Sequence, residues 1–191
     1  MYEQFKKSDL TMSQPSFIDT FSQQFTLEPA RTALLVIDMQ NATGNREMGL
    51  GALLAQQGNS ASAQYRFDRI DQLLIPNIQK LIKGFKEAGA HVIWITYGAN
   101  AANASDAPHH IAPIIKATNN IAGQPEHEIV DALKPEPGDL VLNKTTQGAF
   151  RSTALDSSLR ALGVTTVVST GVSANNCVAM TSMEACDLQY R

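Results

Sequence analysis

Four short apolar runs limit what this chain can fold into: Ala33 to Ile37, His91 to Thr96, Leu140 to Asn143 and Val164 to Thr170. Each has strand rather than helix length, and runs of this kind are typical of strands buried on both faces. Helical patterns lie between them. From Phe67 to Ala88 apolar Ile70, Leu74, Ile78, Leu81, Ile82 and Phe85 recur at helical spacing, with Gly89 as a stop and Pro76 either opening or kinking the helix. Leu155, Leu159 and Leu162 give a second buried face, started at Thr153 and Asp156 and stopped at Gly163. Alternating strands and helices predict a three-layer α/β/α fold around a mainly parallel, Rossmann-like sheet.

Three chemically active residues stand at the ends of these runs. Asp38 closes the first, Lys144 closes the third, and Cys177 follows the fourth at the start of a helix beginning near Ala174 or Asn175. The carboxyl ends of parallel strands share one edge of the sheet, so residues far apart in sequence meet there. An acid, an amine and a thiol at that edge suggest nucleophilic catalysis. A cysteine in the first turn of a helix is expected to have a lowered pKa. Asp38 would accept its proton and Lys144 would hold the two anions together.

Size and charge narrow the partners. At 191 residues the chain suits one domain with a substantial core. We read residues 30–191 as that domain and 1–29 as an N-terminal arm carrying Phe5, Phe17, Phe21 and Phe25. A net charge of −3 gives no electrostatic reason to expect nucleic acid or an anionic membrane. A small-molecule substrate is the expected partner. No apolar stretch reaches the roughly 18 residues of a membrane span, and the first ten residues are too polar for a signal-peptide core, so the cytoplasm is the expected compartment. Cys177 and Cys186 would lie on opposite sides of one helix and should not pair with each other.

The segments Leu34-Leu35-Val36-Ile37-Asp38-Met39-Gln40 and Thr170-Gly171-Val172-Ser173-Ala174-Asn175-Asn176-Cys177-Val178, with Lys144, Gly148-Ala149-Phe150 and Thr153-x-Leu155 between them, resemble the isochorismatase-like cysteine hydrolase superfamily. The resemblance runs from about Thr32 to the C-terminal end. It implies that Asp38, Lys144 and Cys177 act together on a carbonyl carbon, that a cis peptide joins Val172 to Ser173, and that the amides of Ser173 and Cys177 form the oxyanion hole. It also implies a homo-oligomer, a dimer or tetramer, and substrates among small amides and ureides. Cleavage of a C–N bond through a thioester, with release of ammonia, is the expected reaction. Isochorismatase-type vinyl ether hydrolysis and a non-catalytic binding or assembly role are the alternatives; Cys177 argues against the first, and the intact Asp38, Lys144 and Cys177 set against the second.

No cofactor is expected, and Gly49-Leu50-Gly51 is no dinucleotide fingerprint. The metal-binding branch of that superfamily carries an Asp-x-His pattern after the second strand. Here Thr96 to Asn100 offers neither carboxylate nor imidazole, and adjacent His109 and His110 read as loop residues, so no metal is expected. Substrate contacts are sought in Arg46, Tyr97, Gln147, Phe150 and Asn176, with Tyr65, Asn100 and Arg151 in similar segments; a substrate carboxylate would suit Arg46 or Arg151. The long segments 41–64 and 97–124 are expected to shape the pocket. Because family members continue into another strand and helix beyond the one bearing the cysteine, the sheet is expected to lack its last strand through C-terminal shortening, or to be completed by a neighbouring subunit.

Overall fold

The computed structural model describes Phe21 and residues 25–191. Most of the expected N-terminal arm, Phe5 and Phe17 included, lies outside the described residues. Phe25 sits beneath the Arg191 guanidinium, 5.9 Å from ring centre to charge.

Four parallel strands form the sheet in the order β3-β2-β1-β4: β1 (Thr32–Ile37), β2 (His91–Tyr97), β3 (Leu140–Lys144) and β4 (Thr166–Gly171). Side chains of a strand alternate between faces, and β1 is buried on both, which explains why it is apolar throughout Ala33 to Ile37. Ala33, Leu35 and Ile37 enter the core on one face, with Ile93, Ile95, Leu155 and Leu159. Leu34 and Val36 enter the other, with Trp94, Phe67 and Ile78.

The helices are α1 (Asn41–Gly44), α2 (Gly49–Gln56), α3 (Gln64–Arg69), α4 (Ile75–Glu87), α5 (Ala112–Ala117), α6 (Leu155–Ala161) and α7 (Cys177–Asp187). A widened π-turn, Ile70–Leu74, joins α3 to α4. Pro76 follows this π-turn within an unbroken helical run, since Leu74 and Ile75 already have helical backbone, so it marks an irregular turn of the helix rather than a free start.

Three sequence expectations need correction. In the sequence Pro125 reads as able to open a short helix through Leu133, but the structure forms two separate 3₁₀ turns there, Pro125–His127 and Asp131–Leu133. The backbone between them is drawn out by the chain leaving β1: Asn41 donates to the Glu128 carbonyl at 2.8 Å, and Val130 donates to that of Met39 at 2.9 Å. Leu162 is 40% exposed rather than on the buried face of α6, because the helix has ended. The fourth strand begins at Thr166, after Val164 has returned its N–H to Leu159.

Consecutive strands step from β1 to β2 to β3, and β4 then returns to the other side of β1. Connections leaving β1 and β4 therefore diverge, and a crevice opens between their carboxyl ends. Beyond β4, Arg191 exchanges backbone hydrogen bonds with Thr165 and Val167 at 2.9 and 2.8 Å.

Candidate active site

Asp38 leaves β1 in a left-handed conformation, φ 56°, which is unusual for a residue other than glycine. Two hydrogen bonds hold it there: its N–H donates to Ile95 O at 2.8 Å, and its carbonyl accepts from the Thr43 hydroxyl at 2.9 Å. On the neighbouring strand, Gly171 (φ +118°) has no alternative, because a Cβ there would collide with the Ile37 carbonyl. This close approach brings the turn after β4 beside Asp38.

Lys144 comes from β3, two strands away, and crosses the intervening Tyr97. Its Nζ lies 3.8 Å from the centre of the Tyr97 ring, 3.0 Å from Asp38 Oδ2 and 3.3 Å from the Thr146 carbonyl. The Lys144 and Asp38 side chains are 0% and 3% exposed. Such a pair brings little net stability, but removing either member strands a buried charge at a cost of about 3–5 kcal/mol.

Cys177 is the first residue of α7 and is buried. Its thiol is pushed up to about 12, first by burial and then by the Asp38 charge, with Lys144 opposing. The helix start therefore does not make a resting thiolate, contrary to the sequence expectation. Burial outweighs the dipole because it removes the water that would stabilise the anion. Asp38 is likewise raised by burial, against the lowering influences of Lys144 and Cys177. Asp38 Oδ1 accepts no hydrogen bond among the described residues. The site thus holds a neutral thiol beside a carboxylate that is more basic than an ordinary aspartate and keeps one oxygen open to a proton.

The turn from β4 to α7 contains the cis peptide Val172–Ser173. Val172 donates to the Ile37 carbonyl, and the Ser173 carbonyl accepts from Asn176 and Val178. Among the described residues, the N–H groups of Ser173 and Cys177 find no acceptor. Farther back, a bond from Phe150 N–H to Glu184 Oε2 at 3.0 Å anchors the Gly148–Phe150 segment to α7. Gly148 packs so closely against the same carboxylate that a Cβ there would overlap it.

Above Asp38 and Cys177 lies a cavity of about 150 Å³, lined also by Tyr97, Arg66, Ser173 and Asn176, with an apolar wall from Leu50, Val172 and the Ile111–Ile115 segment. Lys144 is behind this lining. Asp38, Cys177, Ser173, Tyr97 and Asn176 are thus brought together, and the other anticipated contacts are not. Arg46 turns away to Asp68 and Asp71, at 2.9 and 2.7 Å. Gln147 is outside the cavity wall but fixes Asn176 with a 2.6 Å hydrogen bond. Phe150 packs on Tyr190. Tyr65, Asn100 and Arg151 are exposed, and Arg151 lies 3.6 Å from Glu184. Sequence reading missed Arg66. A signal existed, since Ala63, Phe67 and Ile70 form a buried stripe running through α3 and its flanking turns, and Arg66 borders it.

Among the described residues, no group of three or more His, Cys, Asp or Glu side chains is arranged to hold a metal ion. No described helix is long and apolar enough to cross a membrane.

Residues 32–191 match the isochorismatase domain family, and the chain belongs to it. It is 31% identical over 182 residues to the ureidoacrylate amidohydrolase RutB of Enterobacter sp. (strain 638), covering 88% of this chain and 74% of that protein. Identity to the protein of the same name from Methylobacterium radiotolerans is 32%, covering 88% of this chain and 66% of the relative. A crystal structure of an isochorismatase family protein from Desulfovibrio vulgaris superposes with a TM-score of 0.66 at 29% identity, covering 84% of this chain and 76% of that one. These relatives place the chain among the family's amidohydrolases.

Proposed function

We propose that the chain hydrolyses a C–N bond of a small amide or ureide, with Cys177 as nucleophile, Asp38 as general base and Lys144 as the fixed cation between their charged states. The observation that carries this reading is the buried Lys144–Asp38 pair, 3.0 Å long, beneath the cavity that the Cys177 thiol enters. With the thiol neutral at rest, attack requires Asp38 to take its proton as the C–S bond forms. The oxyanion meets the Ser173 and Cys177 N–H groups, each such donor contributing on the order of 3 kcal/mol to barrier lowering. The proton on Asp38 then passes to the departing nitrogen, the C–N bond breaks, and a thioester remains. Water, losing its proton to Asp38, cleaves that thioester, and the proton returns to sulfur. Ammonia is the nitrogen product of a primary amide.

The relatives' activity makes ureidoacrylate the first compound to test, beside simple primary amides and other ureides. Nitrogen release from this panel should be measured for the native chain and for Cys177→Ala. Loss of at least about 10⁴-fold in the variant is expected of a nucleophile. Undiminished release by Cys177→Ala would rule out the thiol mechanism.

A further inference from the structure

We infer that Arg66 is the specificity-determining residue that binds a carboxylate on the substrate, so that the preferred compounds are short amide or ureide acids. This rests on the catalytic reading above and deepens it.

The Arg66 guanidinium lies in the cavity wall and is half-buried. Nη2 and Nε donate to the Thr43 carbonyl at 3.1 and 3.4 Å, and Nη1 donates to Ser173 Oγ at 3.2 Å, which leaves one N–H on each Nη. Both acceptors are neutral. Among the described residues no carboxylate pairs with it, whereas Arg46, outside the cavity lining, has two. Burial holds Arg66 below its usual pKa without removing its charge. Asp38 is the acid in the cavity lining, and Lys144 already neutralises it. The cavity therefore presents one uncompensated, partly desolvated cation, and its remaining donors suit the flat, two-oxygen face of a carboxylate.

Position sets the spacing. Arg66 touches Ser173, whose N–H is offered to the oxyanion, so a carboxylate held by the guanidinium is a few bonds from the attacked carbonyl. A cavity of about 150 Å³ is the size of one that takes a single benzene ring, which suits a short acid. The apolar wall of Leu50, Ile114 and Ile115 would face the carbons between the two polar ends.

The test uses maleamate and its uncharged methyl ester, with ammonia release as the readout. The native chain should prefer the acid in kcat/KM, and Arg66→Gln should reduce that preference about 30-fold, mainly through KM. Arg66→Lys should restore part of it, because a point charge replaces one arm of the fork. Arg151→Gln, at an exposed position outside the cavity, should leave the preference unaltered. Maleate binding by calorimetry supplies a readout independent of turnover, with native binding expected and Arg66→Gln binding weakened to a similar degree. An unchanged acid-to-ester ratio in Arg66→Gln, absent maleate binding to the native chain, or equal binding by both proteins overturns the inference. Activity surviving in Cys177→Ala would instead overturn the thiol mechanism and leave the acid preference standing.

Discussion

Two lysine–aspartate pairs stand at opposite ends of this sheet with almost the same separation. Lys86 meets Asp139 at 2.9 Å near the amino end, and Lys144 meets Asp38 at 3.0 Å at the carboxyl end. Each lysine also lies over an aromatic ring, Trp94 for the first and Tyr97 for the second. Water makes the difference. The side chains of the first pair are 32% and 20% exposed and Glu136 joins them, while those of the second are 0% and 3% exposed. At the wet end, hydrogen bonds to Glu136 and Asp139 raise Lys86, the ordinary result of gaining acidic partners. At the dry end, burial outweighs Lys144 and raises Asp38, turning a weak base into a stronger one. The amino end even has the larger hollow, about 640 Å³ against about 150 Å³, yet no nucleophilic thiol faces it. Reactivity follows desolvation and the neighbouring nucleophile, not cavity size or ion-pair distance.

The strongest challenge to this comparison is to remove the cation from each pair. Lys144→Met should abolish measurable nitrogen release and cost about 3–5 kcal/mol, because Asp38 is left buried and unpaired. For a chain of this size that is a fall of about 10 °C in Tm. Lys86→Met should cost about 1 kcal/mol or less and leave turnover intact, as expected of a solvated pair. Equal losses from the two substitutions would show that burial does not separate them.

Acid tests the same difference through Asp38. The reaction needs its carboxylate, and burial raises its pKa above the ordinary 3.8, so kcat should fall on acidification before a normal aspartate would titrate. Stability runs the other way for this group. A carboxyl whose folded pKa is raised contributes stability that is fully present below its unfolded pKa and is lost as pH rises through the folded value. Moderate acid should therefore give a folded, inactive protein that recovers on neutralisation, checked by circular dichroism alongside the rate. Loss of rate only together with loss of fold would contradict this assignment of the base.

How much of this was legible in the sequence depends on the range of the forces involved. β1 could be read because a strand covered on both faces carries an unbroken apolar run, here Ala33 to Ile37, and the places of Asp38, Lys144 and Cys177 follow from where parallel strands end. Residues 125–133 could not be read, because their extended backbone answers to partners at Met39 and Asn41, far away in the chain. Arg46 and Arg66 are set apart in sequence only by the apolar stripe beside Arg66; the rotation of α3 and the positions of Asp68 and Asp71 then decide which faces the cavity. The sign of the Cys177 shift was likewise hidden. Local sequence shows the helix start, whereas the opposing burial is built by residues from every strand.

That sign gives the smallest and most direct test, a comparison of the two cysteines. Cys177 and Cys186 share α7, but the first is buried beside Asp38 and the second is exposed. Alkylation requires thiolate, and a thiol pushed up to about 12 supplies very little near neutral pH. Iodoacetamide followed by peptide mass spectrometry should therefore modify Cys186 first, while most activity remains, and reach Cys177 slowly as activity disappears. Replacing Asp38 with Asn removes one of the charges that disfavour thiolate while Lys144 remains, so Cys177 should alkylate faster in that variant even though turnover is lost. Faster labelling with slower catalysis would separate a thiol that is merely acidic from one that is useful, because the reaction needs the base that holds the proton as much as the sulfur that gives it up.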